Sequence, residues 1–215
     1  MKRLISLFSL FLSLICFSQD GELPSIKTQS TYIKGNALFL PALIFNAGVE
    51  HQLNDRYTLQ GDFFISPWKS FAGKHAQVYM AGIEGRYYFN NAFSKFYIGA
   101  NFSFAAFNIQ KWTYWNNPDY KNPADETQVF DSKKYYQKGF TFIFGGTVGY
   151  QFHWKERWNV DLYLSVGSSQ ALYRGYDEDT GIRTDEFYSD IKRNWNKSGE
   201  LIPYRGGVMI SYKIK

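Results

Sequence analysis

Glu84 and Arg86 stand two residues apart in an alternating segment, so in a strand both project from one face. The same parity puts Lys34, Glu50, Asp62, Asp161 and Arg205 on the corresponding faces of their own segments. Carboxylates and cations gathered on one side of several strands can guide an ion or hold a polar ligand. They can also pair with one another and fix strand register. Histidine offers a second chemistry, and the chain has three: His51, His75 and His153. A hydrolase or acyltransferase needs a histidine within reach of a hydroxyl or carboxylate. His75 alone falls near the expected outer end of its segment, and no spaced partner motif accompanies it. The three are too scattered to hold a metal, so neither metal nor cofactor is expected. Asp177–Gly181 resembles a calcium loop only in part, because Ile182 and Tyr188 stand where such a loop needs glycine and glutamate. Trp112, Tyr114, Trp115 and Trp195 lie in two long connecting segments close to Lys111, Arg193 and Lys197. Aromatics among charges suit contact with a surface protein or glycan, or packing of the loops on each other.

These residues must be positioned by strands. From Phe140 to Phe152 every second residue is bulky and apolar except Gly146, while the intervening set runs Thr141, Ile143, Gly145, Thr147, Gly149, Gln151. That is one two-faced strand. Its polar face carries small residues instead of the lysines and glutamates of a water-washed surface. Such a face fits the filled inside of a narrow barrel, with the aromatics turned toward lipid. The same test gives segments at Tyr57–Ser66, Tyr79–Phe89, Phe96–Ala105, Trp158–Gly167 and Val208–Ile214, and shorter ones at Ile33–Leu40 and Ala47–Leu53. Eight is an even number, as an up-and-down antiparallel barrel with both termini on one side requires.

Connection lengths alternate. Residues 54–56, 90–95 and 153–157 are short turns, whereas 67–74, 108–137 and 168–204 are long, and only 41–46 is short for its side. Short turns on one rim and long loops on the other are the pattern of outer-membrane barrels. Tyr57, Tyr87, Phe89, Phe96, Trp154 and Trp158 cluster at the short-turn ends, with Trp68 at the other, as interfacial girdles do. The fold class expected is all-β, an eight-stranded antiparallel up-and-down transmembrane β-barrel.

Composition agrees. Aromatic residues make up 20% of the 215 residues and charged residues 20%, and mean hydropathy is −0.37, which argues against a helical membrane protein. Lys2 and Arg3 precede the apolar run Leu4–Cys16, and Cys16-Phe17-Ser18 offers a cleavage site before Gln19. Residues 1–18 therefore read as a signal peptide, 19–30 as a flexible lead-in and 31–215 as the barrel. Cleavage there would remove the single cysteine and with it any thiol chemistry. It would also remove two of the 24 basic residues, leaving 22 against 19 acidic and a net charge of +3. No nucleic-acid partner is expected from that balance.

Several motifs, taken in order, carry a resemblance: Ser66-Pro67-Trp68-Lys69-Ser70-Phe71, Glu84-Gly85-Arg86-Tyr87-Tyr88-Phe89, Phe107–Trp112, Gly149-Tyr150-Gln151-Phe152, Trp195–Glu200 and Pro203-Tyr204-Arg205-Gly206-Gly207. Over residues 31–215 the chain resembles the outer-membrane barrels of unknown function common in Bacteroidota, which are grouped with small OmpA-like barrels. The resemblance implies fold and location, not an activity. His51 departs from it, because alternation turns that residue toward lipid near a rim. Arg205, Gly207, Ile210 and Tyr212 resemble the C-terminal signal read by the barrel-assembly machinery, although the chain ends Ile214-Lys215 and not on an aromatic. The expectation is a non-enzymatic protein of the bacterial outer membrane, in contact with lipid and lipopolysaccharide. Loops 109–137 and 168–204 would form its contact surface. A narrow channel gated by the interior charges and a lipid-modifying enzyme using His75 are the alternatives.

Overall fold

The computed structural model describes residues 29–110, 119–123, 125–188 and 193–215. The strands are β1 (Thr31–Asn36), β2 (Phe45–Gln52), β3 (Tyr57–Ser66), β4 (Ala76–Tyr88), β5 (Lys95–Ile109), β6 (Tyr120–Asn122), β7 (Asp125–Phe130), β8 (Tyr135–Lys155), β9 (Trp158–Asp177) and β10 (Asn196–Lys213). Eight of them close a barrel in the order β1-β10-β9-β8-β5-β4-β3-β2. Every neighbouring pair in the ring is antiparallel. β6 and β7 form a separate hairpin inside one connection.

Closure is staggered. From Gly35 the pairing passes through Ala47, Phe63, Ala81, Phe104, Phe142 and Gln170 to Gly199. Yet Gly35 also faces Ile210 on that same tenth strand. One circuit thus climbs β10 from Ile210 to Gly199, so the strands must tilt against the ring axis. A bulge between Pro203 and Arg205 absorbs one residue of the climb.

The two faces of each strand separate as alternation requires. On β8, Thr141, Ile143, Thr147 and Gln151 are buried, while Phe142, Phe144, Val148, Tyr150 and Phe152 are exposed. Ile83 on β4 and Leu164 on β9 are likewise turned outward. Aromatic pairs gather at the short-turn rim, with ring centroids 5.1 Å apart for Tyr57–Tyr87, 5.6 Å for Phe89–Phe96 and 4.9 Å for Trp158–Tyr212. His51 is also at this rim, its Nδ1 2.8 Å from Thr31 Oγ1 and its Nε2 3.1 Å from Gln29 Oε1. Among the described residues no helix is long and apolar enough to cross a membrane.

Several boundaries differ from expectation. The stretch 168–204 is not one loop: β9 runs on to Asp177 and β10 starts at Asn196, leaving 178–195 as the connection. Beyond Val166 the outward set runs Ser168, Gln170, Leu172 and Arg174, so the apolar alternation is broken by polar residues. Backbone pairing nevertheless continues through Ser168–Leu201 to Tyr173–Asn196. The stretch 109–137 narrows to 110–134 in the same way and contains the unforeseen β6–β7 hairpin. The first segment ends at Asn36 rather than Leu40. Asn36 Oδ1 accepts the Leu38 amide at 3.2 Å, and Leu40–Ala42 forms a 3-10 turn around Pro41.

Candidate functional site

Pairing across the ring aligns the inward side chains on shared rungs. Glu50 faces Gln60, Gln60 faces Glu84, and Glu84 faces Asn101. The structure brings all seven interior charged residues into one buried network. Lys34 Nζ lies 2.6 Å from both Glu50 Oε2 and Asp161 Oδ2. Arg86 Nη1 reaches the same two oxygens at 3.1 and 2.9 Å, and its Nε donates to Glu84 Oε1 at 2.6 Å. Arg205 Nη1 donates to Asp62 Oδ1 at 2.6 Å and its Nη2 to Glu84 Oε2. Glu84 therefore joins the two arginines, which explains why Glu84 and Arg86 share a face. Neutral donors complete the carboxylate shells: Thr58 and Tyr88 at Glu50, Tyr97 at Asp161, Thr147 at Glu84. Burying each ion costs several kcal/mol, so such a set persists only when partnered and hydrogen-bonded.

Interior glycines make room for these long side chains. A methyl at Gly99 would meet the Glu84 carboxylate at 3.1 Å, and one at Gly82 would meet Ser103 Oγ at 2.6 Å and Arg205 Nη1 at 3.2 Å. At Gly149 it would overlap the Tyr97 ring, which crosses that position from the facing strand. Arg86 sits over the same ring at 4.5 Å. Tyr88, Tyr97, Tyr163 and Met209 pack together against the network. Tyr97 and Tyr163 are not singled out by the sequence, because a bulky side chain reads as an outward position, and Met209, although on the inward parity of its segment, is not singled out either. Parity with Gly99, Asp161 and Gly207 was the signal available.

The other sequence candidates have separate surroundings. Trp112, Tyr114 and Trp115 fall outside the described residues. Trp195 packs on the wall of the ring: its indole meets Phe140 edge-on at 5.4 Å, with the Arg174 guanidinium 4.4 Å above it. His75 stacks on Tyr136 at 4.6 Å, and its Nε2 is 3.2 Å from Glu178 Oε1. That contact is off hydrogen-bond geometry, and neither ring nitrogen has a hydrogen-bond partner among the described residues. Ser66, nearby on β3, donates instead to the Ala76 carbonyl at 2.5 Å. Arg205 belongs to the interior network, while Ile210 and Tyr212 follow the outward parity of β10. Gly207 takes φ +142 beside Asn36, a conformation and a closeness that a side chain would not tolerate.

The long connections are held together by contacts of their own. Phe130 of the β6–β7 hairpin stacks on Phe187 at 5.8 Å. Lys134 donates to Asp179, and this carboxylate raises the pKa of the amine. Arg183 pairs with Asp185 at 2.7 Å and Glu186 at 2.6 Å. The acidic turn closes on itself, with Asp177 Oδ2 accepting from Thr180 N at 2.9 Å and Thr180 Oγ1 at 2.8 Å. Among the described residues no group of three or more His, Cys, Asp or Glu could hold a metal ion.

Fold and site together define an all-β protein, a closed antiparallel ring of eight strands around a buried ionic network. The chain belongs to the family described as Protein of unknown function (DUF3575), whose model matches residues 8–201. No curated protein and no solved structure matches the chain.

Proposed function

We propose that this chain is a non-enzymatic β-barrel of the outer membrane of a Gram-negative bacterium, of the kind common in Bacteroidota, exported by its N-terminal leader. The ring acts as a rigid frame that presents its long connections, chiefly 110–134 and 178–195, to a surface protein or glycan. The observation that carries this reading is the inverted distribution of polarity. Lys34, Glu50, Glu84, Arg86 and Asp161 have side chains that are 0% exposed inside the ring. Outside, Phe144 is 58% exposed and Ile83 59%. Water would penalise that arrangement on both faces, whereas a hydrocarbon surround rewards the outer one. Short turns at one rim and long connections at the other support the same orientation.

The network favours a plug over a pore. Each charge in it has an opposite charge within 3.1 Å, and the ring beside it is filled by tyrosines and Met209. Eight strands leave an interior that side chains can fill. The test is expression with the native leader, fractionation, and electrophoresis of unboiled against boiled samples. An outer-membrane protein whose unboiled form migrates differently is expected. Recovery as a soluble protein with one mobility would overturn the reading.

A further inference from the structure

The lumen has two storeys. Toward the long-loop rim from Arg205, the inward set changes from mainly charged to mainly apolar. Phe64, Met80, Ala105, Ile143, Ile202 and Tyr204 supply much of the wall of a cavity of about 350 Å3, and polar side chains, Glu200 and Gln137 among them, line the rest. Cavities that take small molecules run from roughly 300 to 1,000 Å3. At about 30 Å3 for each water-sized group, this one admits on the order of ten heavy atoms. Tyr204 divides the storeys. Its hydroxyl donates to Asn101 on the ionic side, and its ring packs against Met80, Ala105 and Ile143 on the other.

The wall beside this cavity is not level. β1 pairs with β10 only between Tyr32–Lys213 and Asn36–Met209, and the last bond is Ala37 N to Val208 O at 2.9 Å. β10 continues to Asn196 with β9 as its one ladder neighbour among the described residues. On the β1 side of that edge lies the connection 37–44, where Phe39 meets Phe64 edge-on at 5.6 Å. The inner face of this upper part of β10 lines the cavity from one side of the gap, and Phe64 lines it from the other.

Hydrogen-bonding groups stand at the mouth. A second hollow of about 290 Å3 shares Phe64, Val78 and Ile109 with the first and is lined by Gln110 and His75. Gln110 is only 5% exposed, yet its Oε1 has no hydrogen-bond partner among the described residues. Among the described residues both nitrogens of the His75 ring are likewise without a hydrogen bond, although the Glu178 carboxylate stands 3.2 Å from Nε2. An apolar slot beside buried acceptors and a ring N–H fits an apolar tail with a head that can both donate and accept.

We propose that the upper lumen binds a single acyl chain of medium length, its tail over Met80 and Ile143 and its hydrogen-bonding head at Gln110 and His75. The gap between β10 and the connection 37–44 is the side entrance. Lateral entry rests on the membrane reading above, because only then does hydrocarbon meet the gap. A free fatty acid and one chain of a membrane lipid share this chemistry.

The test uses full-length protein in lipid nanodiscs and decanoyl chains carrying a terminal diazirine. One arm supplies the free acid and the other the same chain on phosphatidylethanolamine, with insertion sites mapped by peptide mass spectrometry after photolysis. Insertion at Met80 and Ile143 is expected in at least one arm, and that arm identifies the source. This labelling should be lost in Ala105→Trp and in Ala171→Phe, which fill the cavity from different strands, while labelling of outward Phe102 and Leu164 persists. Wild-type label confined to outward residues overturns the proposal, as does lumen label unchanged in both filled variants. Unboiled electrophoresis of the same samples separates the two readings. Loss of the shift in wild type counts against the membrane barrel, whereas a retained shift without lumen label counts against the acyl site alone.

Discussion

Lys34 Nζ lies 2.6 Å from Asp161 Oδ2, which ties β1 to β9 across β10, the strand that separates them in the ring. The ammonium is also 2.6 Å from Glu50 on β2. A single buried cation thus reaches both sides of the seam where the first strand meets the last. Lys34→Met should destabilise the closed ring by about 3 kcal/mol, the cost of leaving buried carboxylates short of a partner. The midpoint of urea unfolding in detergent checks this. Asp161→Asn combined with Lys34→Met should cost less than the sum of the single changes, because each removes what the other would strand.

Glycines on the two faces should respond oppositely to a methyl group. Gly149→Ala drives a Cβ into the Tyr97 ring and should cost about 1–3 kcal/mol, the usual penalty of overpacking. Gly85 and Gly61 have nothing within 4 Å of such a methyl. Their alanine variants should match or slightly exceed wild-type stability, because alanine loses less backbone freedom on folding. Equal effects at Gly149 and Gly85 would contradict the assignment of faces.

The plugged lumen should not conduct. Wild-type protein in planar bilayers should give no stable current steps, and neither should Glu84→Ala, whose loss leaves Tyr88, Tyr97, Tyr163 and Met209 in place. Reproducible steps altered by Glu84→Ala would instead favour the narrow channel.

Shortening the outermost hairpin should separate frame from contact. Residues 119–123 and 125–131 lie outside the ring, held by Phe130 on Phe187 and by the β6–β7 pairing. Replacing them with a short glycine-serine turn should preserve the mobility shift of the unboiled protein and abolish crosslinking to its surface partner. The same partner still captured by the shortened protein would remove this hairpin from the contact surface.

His75→Ala should leave the acyl composition of outer-membrane lipid unchanged. The imidazole is stacked on Tyr136 and beside Glu178, and no hydroxyl is hydrogen-bonded to it among the described residues. A changed lipid profile in that strain would favour the lipid-modifying enzyme.

Much of this protein follows from alternation alone. A strand has a side-chain period of two, so reading Lys34, Glu50, Asp62, Glu84, Arg86, Asp161 and Arg205 as inward needed only parity within each segment. The inverted sorting of aromatics and charges was equally legible, because it is a property of each strand separately. Tertiary structure decided everything that depends on distance between strands. The stagger of the ring sets which carboxylate meets which cation, and this offset accumulates over eight pairings that no local pattern encodes. It also decided where β9 and β10 end. Backbone hydrogen bonds continue past Val166 and before Val208 after the apolar alternation has gone. Those extra residues beside a first strand that stops at Asn36 make the wall uneven and place a mainly apolar storey next to its gap. Linear spacing cannot show that gap, because its two sides, the connection 37–44 and the upper part of β10, are far apart in the chain and come together only when the ring closes.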